Sequence, residues 1–247
     1  MLCPGRPPRS GEGFCWGKTL AILLRNIMNI IVTDLEGTLT TGSSWRGFRS
    51  YFKQNYSALA YNLFFARFLL RFPLMKLGLL NHQKTMSAWM KAEIRLMQGN
   101  PITEINAMAE SVIYQEMWPK RRPDVLLELE KKRLAGAQIV IVSTAYQPIV
   151  EAFARKIEAR AIGTQLVCEN GKLDGIELPV NSYHHKAENI LIRYPDAHIV
   201  AAYGDTLSDL PMMETSQQPV AVYPDAKLLN VAGERGWRIM PSGYREQ

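Results

Sequence analysis

Cysteine is scarce in this chain: Cys3, Cys15 and Cys168 are odd in number, far apart and without metal-ligand spacing. That usage excludes a disulfide framework and a thiolate zinc site, and it fits a reducing cytoplasm. Long apolar runs are missing too, since no stretch of eighteen or more uncharged apolar residues occurs, and a conventional transmembrane helix is therefore not expected. Leu20–Leu24 is too short an apolar stretch for a signal peptide and has no small-residue cleavage site after it. Internal repeats are absent, and low complexity is confined to the Pro- and Gly-bearing residues 1–27. That segment reads as a disordered or mis-assigned N-terminal extension, with Met28 as a plausible native start.

Charge of one sign is also in short supply. The net charge of +6 is a mild basic excess that selects no partner by itself. Basic residues are scattered and match no nucleic-acid-binding motif, so a nucleic-acid role is not expected. What remains is an ordinary globular composition, 47% hydrophobic and 21% charged over 247 residues. Such a chain can bury one main domain with an insertion.

Short β-branched runs, Asn29–Thr33, Gln138–Val142, His198–Tyr203 and Pro219–Tyr223, have the apolar continuity of strands buried on both faces. Helical patterns separate them at Pro123–Ala135, Gln147–Arg160 and Tyr183–Arg193. This alternation predicts an α/β fold with a doubly wound parallel sheet, in which ligands gather at the carboxyl ends of the strands. The segment 45–118 breaks the alternation and reads as three or four helices inserted after the first strand, a helical cap. Residues 28–44 and 119–247 then form the core domain. Asn170-Gly171 between two short strand-like runs predicts a hairpin within Gln165–Leu178.

Three strands end in oxygen-bearing residues. Asp34 and Glu36 place two carboxylates two positions apart at the end of the first strand, and Gly37 lets the chain turn sharply behind them. One carboxylate can act as nucleophile while the other donates and later accepts a proton. Thr38 can fix the loop through a side-chain to backbone hydrogen bond. Asp205 and Asp209 follow another strand and suit Mg2+, which takes a few carboxylates plus waters and substrate phosphate. Ser143 and Thr144 offer donors to a phosphate, and Lys186 near a helix start can offset the gathered negative charge.

In that order, Asp34-x-Glu36-Gly37-Thr38, Ser143-Thr144, Lys186 and Gly204-Asp205-x-x-Ser208-Asp209 resemble the four motifs of the haloacid dehalogenase superfamily. A helical cap between the first two motifs resembles subclass IB, which includes phosphoserine phosphatase. The resemblance spans roughly residues 29–240 and implies a Rossmann-like core, a phosphoric monoester hydrolase and Mg2+ as cofactor. It further implies that Asp34 becomes transiently phosphorylated and that Glu36 is the acid/base. Thr38, Ser143, Thr144 and Lys186 would hold the substrate, with Asp34, the Glu36 backbone carbonyl, Asp205 and Asp209 at the metal. Glu36 departs from the aspartate usual at its position, which bears on rate and on whether water or another hydroxyl is the acceptor.

The expected partner is a small phosphorylated substrate, and a phosphotransferase or a non-catalytic binding protein are the alternatives. Leu59–Leu80 carries Arg67, Arg71 and Lys76 among many apolar residues, a pattern that either packs on neighbouring helices or contacts an anionic membrane surface. Pro73 is expected to end or kink this helix. Glu93 and Arg95 are candidates to meet a polar group of the substrate. Trp45, Trp89 and Trp118 read as core, and His184 and His185 as residues without metal-ligand partners. Oligomeric state has no signature in the sequence.

Overall fold

A computed structural model describes residues 28–244 apart from positions 70, 72, 73, 75, 76 and 78. The expectations for residues 1–27, Pro73 and Lys76 lie outside the described residues.

Strand β1 (Asn29–Thr33) lies at the centre of a six-stranded parallel sheet. On one side are β2 (Gln138–Tyr146) and β3 (Arg160–Thr164); on the other are β6 (His198–Gly204), β7 (Gln218–Val222) and β8 (Arg238–Met240). Period-two alternation sends Ile30 and Val32 to one face, where they pack with Val140, Ile190, Met212 and Leu228. Ile31 goes to the other face, with Ile139, Ile141 and Phe153. Full burial of each such side chain is worth ~1.5–3 kcal/mol, so a strand with no polar face can only be central.

Among the described residues, four α-helices, α1 (Ser44–Asn55), α2 (Ala58–Leu69), α3 (His82–Ile94) and α4 (Ile102–Val112), are inserted after β1. They share the sheet's hydrophobic core: Phe48, Tyr61, Phe64, Ile94 and Met108 belong to one cluster with Ile141, Tyr146 and Phe153. Then come α5 (Pro123–Leu134), α6 (Gln147–Arg155), α7 (His184–Arg193), α8 (Leu210–Met213) and α9 (Ala226–Glu234). The expected hairpin is present as β4 (Leu166–Glu169) and β5 (Lys172–Ile176), with Asn170 and Gly171 both at positive φ, as a tight turn of this kind requires.

The structure corrects several boundaries. β2 does not stop at Val142 but continues through Ser143 and Thr144 to Tyr146, across a register shift against β3. The helix expected over Gln147–Arg160 ends at Arg155, and Arg160 opens β3, a strand not foreseen. Glu158 at positive φ turns the chain between them. Gly163 weakens the strand signal of β3, yet a Cβ there would meet the Ala145 carbonyl oxygen at 2.8 Å.

Candidate active site

The carboxyl ends of β1, β2 and β6 converge on a cavity of about 560 Å³ whose other walls come from α1, α2 and α3. Asp34 follows β1 directly and is buried, and its backbone N–H donates to the Tyr203 carbonyl of β6. Asp205 and Asp209 follow β6. Lys186, buried in the first turn of α7, reaches across with Nζ 2.6 Å from Asp34 Oδ1 and 2.6 Å from Asp209 Oδ1. Asp209 Oδ2 accepts from the backbone N–H groups of Asp205 and Thr206, which ties the loop after β6 into a capped turn.

Gly37, at φ +90°, lets the loop after β1 pass beside Asp205; a Cβ at this position would sit 1.9 Å from Asp205 Oδ2. Arg122 secures the same turn by donating Nε–H to the Gly37 carbonyl at 2.9 Å. Thr38 does not bond backbone as expected: its hydroxyl donates to Asp205 Oδ1 at 3.0 Å. Fully buried, Thr38 is absent from the cavity wall, whereas Ser143, Thr144 and Lys186 line it. Glu36 also lines it, and its carboxylate accepts from Ser43 Oγ and the Ser44 backbone N–H, both at 3.1 Å, at the start of α1.

These side chains hold more negative charge than positive. Asp34, Asp205 and Asp209 can each present an oxygen within 4.8 Å of the others, and Lys186 is the one cation among the described lining residues. Burial, opposed by Lys186 and helped by Asp209, pushes the Asp34 carboxyl up to about 7. Burial with Asp34 and Asp209 nearby pushes Asp205 up to about 8. Burial alone would lower Lys186, but Asp209 and Asp34 outweigh it and hold the ammonium above the ordinary lysine value. Burial also raises Glu36, against the opposing hydrogen bonds from Ser44 and Ser43. A donor set of hard oxygens with surplus charge fits Mg2+.

Several participants carried no sequence signal. Asn181 joins the ends of β2 and β3 to the loop before α7: its Nδ2 donates to the Ser143 carbonyl at 2.9 Å and to the Ile162 carbonyl at 3.0 Å. Asn181→Ala would orphan both buried carbonyls, and a loss of ~2–4 kcal/mol is expected. Urea unfolding checks this; a loss below ~1 kcal/mol would show that the loop is held otherwise. Next to it, Ser182 Oγ is buried without a hydrogen-bond partner among the described residues and lies on the cavity wall. Tyr183 follows at φ +52°, a backbone state that favours glycine.

Trp89 is core as expected and also lines the cavity; Trp45, expected as core, is only partly buried and lines the cavity instead, while Trp118, partly buried, packs on Phe153. Glu93 lies in the wall and Arg95 is exposed outside it. The two histidines are not partnerless: His185 Nδ1 is 2.8 Å from Glu188 Oε2, and His184, His185 and Glu188 can bring ligand atoms within 4.8 Å. The i,i+3 geometry of α7 makes this pairing.

The family model of haloacid dehalogenase-like hydrolases matches residues 31–214, most of the chain and every site residue named above from Asp34 to Asp209. The chain belongs to this hydrolase family. Among its haloacid dehalogenase-like relatives is the protein named phosphoserine phosphatase SerB1 of Mycobacterium tuberculosis (strain ATCC 25618 / H37Rv), 30% identical over 216 residues that cover 83% of this chain and 68% of the relative. A solved structure from Bordetella pertussis Tohama I, of a protein of unknown function, aligns with a TM-score of 0.71 at 18% identity, covering 86% of this chain and 97% of that one. The probable phosphoserine phosphatase of Vibrio cholerae aligns with a TM-score of 0.56 at 18% identity, over 90% of this chain and 68% of the other. These structural likenesses speak for the haloacid dehalogenase-like fold, and the chemistry has to come from the site itself.

Proposed function

We propose that this hydrolase is a phosphatase that cleaves a small phosphate monoester through an aspartyl-phosphate on Asp34. What supports the reading is that the buried Asp34 and Asp209 and the half-buried Asp205 gather beside one lysine, which bonds the first two, at the floor of a cavity large enough for a small substrate. In the first step an Asp34 oxygen bonds to phosphorus, the bond from phosphorus to the leaving oxygen breaks, and Glu36 gives its proton to the departing alkoxide. Burial raises its proton affinity, the direction that such a donation requires. In the second step a water oxygen bonds to phosphorus, the bond to Asp34 breaks, and Glu36 takes the water's proton.

Lys186 holds Asp34 in place and offsets charge on the phosphoryl oxygens, and Ser143, Thr144 and the unpartnered Ser182 hydroxyl supply donors. Thr38 acts at one remove, by orienting Asp205. Asp34, Asp205, Asp209 and the Glu36 backbone carbonyl would hold Mg2+, which supplies compensating charge for the transferring phosphoryl group. Helices α1–α4, over residues 45–118, serve as the cap that closes the cavity above the core. Release of inorganic phosphate from acetyl phosphate tests the reading. Mg2+-dependent release is expected, and added small alcohols should leave phosphate release undiminished. Failure to release phosphate with any divalent cation would reject it.

A contact with an anionic lipid surface is supported by a separate observation. Residues 44–95 contain nine basic residues and a single acidic one, Glu93, which is buried. The same segment exposes Leu59, Leu63, Leu69, Leu77 and Leu79. Apolar side chains beside a one-signed charge excess suit the headgroup region of an anionic bilayer. Co-sedimentation with phosphatidylglycerol vesicles is expected at low salt and should weaken at least ~10-fold in 0.5 M NaCl. Equal binding to neutral vesicles, or none to anionic ones, would refute the contact.

A further inference from the structure

The upper part of the cavity differs in chemistry from its floor. Trp45 and Phe65 stack with centroids 6.5 Å apart, Phe65 meets Trp89 edge-on at 5.9 Å, and Met86 and Met90 of α3 continue the wall. Among the described lining residues the one cation is Lys186, already bonded to Asp34 and Asp209, and the guanidinium groups of Arg46 and Arg49, which are not in the lining, are engaged over the rings of Trp45 and Phe65 at 5.6 and 5.4 Å. A substrate carboxylate would compete with those partners, and an ammonium group fares no better. Glu93, the one acid of the upper wall, has Oε1 3.0 Å from the Tyr61 hydroxyl and Oε2 3.2 Å from that of Tyr146.

Tyr146 has one hydroxyl proton, and the Met90 carbonyl, 2.9 Å away, can only accept it. Tyr146 shares that proton between the Met90 carbonyl and Glu93 Oε2, and Tyr61 donates to Oε1, so both carboxyl oxygens of Glu93 already carry a tyrosine hydroxyl. Burial pushes this carboxyl up to about 8, against the hydrogen bonds from Tyr61, Tyr146 and Trp89.

Given the phosphatase reading on which this rests, we infer that the leaving group is an uncharged, apolar or aromatic alcohol seated against Trp45, Phe65, Met86 and Met90. A zwitterionic leaving group such as serine would place two full charges where neither finds a free partner, and desolvating them uncompensated is costly. An alkyl chain or aromatic ring would replace water against four apolar side chains.

Four substrates separate this inference from the reading beneath it: acetyl phosphate, whose leaving group is too small to reach the upper wall, hexyl and phenyl phosphate, and phosphoserine. The expected result is a kcat/KM for hexyl and phenyl phosphate at least ~50-fold above that for phosphoserine. Trp45→Ala is expected to cut the ratio of hexyl to acetyl phosphate by ~10-fold. Phosphoserine turned over as well as hexyl phosphate, or a ratio unmoved by Trp45→Ala, would overturn the inference while leaving the phosphatase reading standing. No turnover of acetyl phosphate would remove both. A further arm with phosphatidate in vesicles identifies the source of the alcohol: a gain over hexyl phosphate assigns a lipid, and no gain assigns a soluble compound, with the apolar chemistry supported in either case.

Discussion

Asp34→Asn is expected to lower phosphate release by ~10⁴-fold or more while leaving the protein folded and no less stable. The two halves of that expectation have separate causes. An amide is a poor nucleophile at phosphorus, so without the carboxylate the reaction loses its covalent route and keeps only the binding groups. Stability, by contrast, is strained by this side chain. Desolvation dominates the upward push on the Asp34 carboxyl, and Asp209 adds to it. Removing the charge relieves both, while the carbonyl oxygen of the substituted amide can still accept from Lys186, which keeps Asp209 as its charged partner. An activity assay paired with urea unfolding checks the prediction. Retention of more than ~1% of wild-type turnover would mean that Asp34 is not the nucleophile, and a large loss of stability would mean that it is chiefly structural.

That Asp34 could be singled out from the sequence has a physical reason. A strand buried on both faces must be a continuous apolar run, and a carboxylate directly after it stands at the rim of the sheet where ligands collect. The same logic exposed Ser143, Asp205 and Asp209, and the positions of Lys186 and the hairpin followed from local pattern. The legible part of the site is therefore the part whose signal is local.

What escaped notice depends on contacts between distant segments. Asn181 matters because it bonds carbonyls of β2 and β3, 38 and 19 residues away, and no single-sequence pattern marks such a residue. Tyr183 at φ +52° lacks the glycine that would have announced the turn. Glu93 is buried where tyrosines from α2 and β2 donate to its carboxyl, and Trp45 becomes cavity wall through its stack on Phe65. Glu36 combines both kinds of information. Its acidity and place after the strand were legible, but its carboxylate also binds Ser43 and Ser44, so the longer side chain couples the site to the first helix of the insertion. A glutamate here has a structural task that an aspartate, one methylene shorter, would meet less well.

Chelating the divalent cation is expected to abolish turnover by ~10³-fold or more, and its effect on stability should depend on pH in a definite sense. Without a cation, Asp34 and Asp205 sit at about 7 and about 8, both above the ordinary value of 3.8. Between roughly pH 4 and 8 the native state therefore binds more protons than the unfolded chain, so the cation-free protein loses stability as pH rises through that window. Lys186, held protonated by Asp209 and Asp34, does not titrate within it. A bound cation replaces those protons, and its affinity must grow with pH until both carboxyls are ionised. The stabilisation by Mg2+ at a fixed concentration should thus be larger at pH 8.5 than at pH 6. At 100 times Kd it amounts to ~2.7 kcal/mol, or a rise in Tm of ~5–10 °C for a protein of this size. Glu93 titrates in the same range but does not belong to the cation site, so comparing scans with Mg2+ and with EDTA at each pH cancels its contribution. Equal Tm values with and without Mg2+ at pH 8.5, or a shift larger at pH 6, would contradict a site in which cation and protons compete for the same two carboxylates.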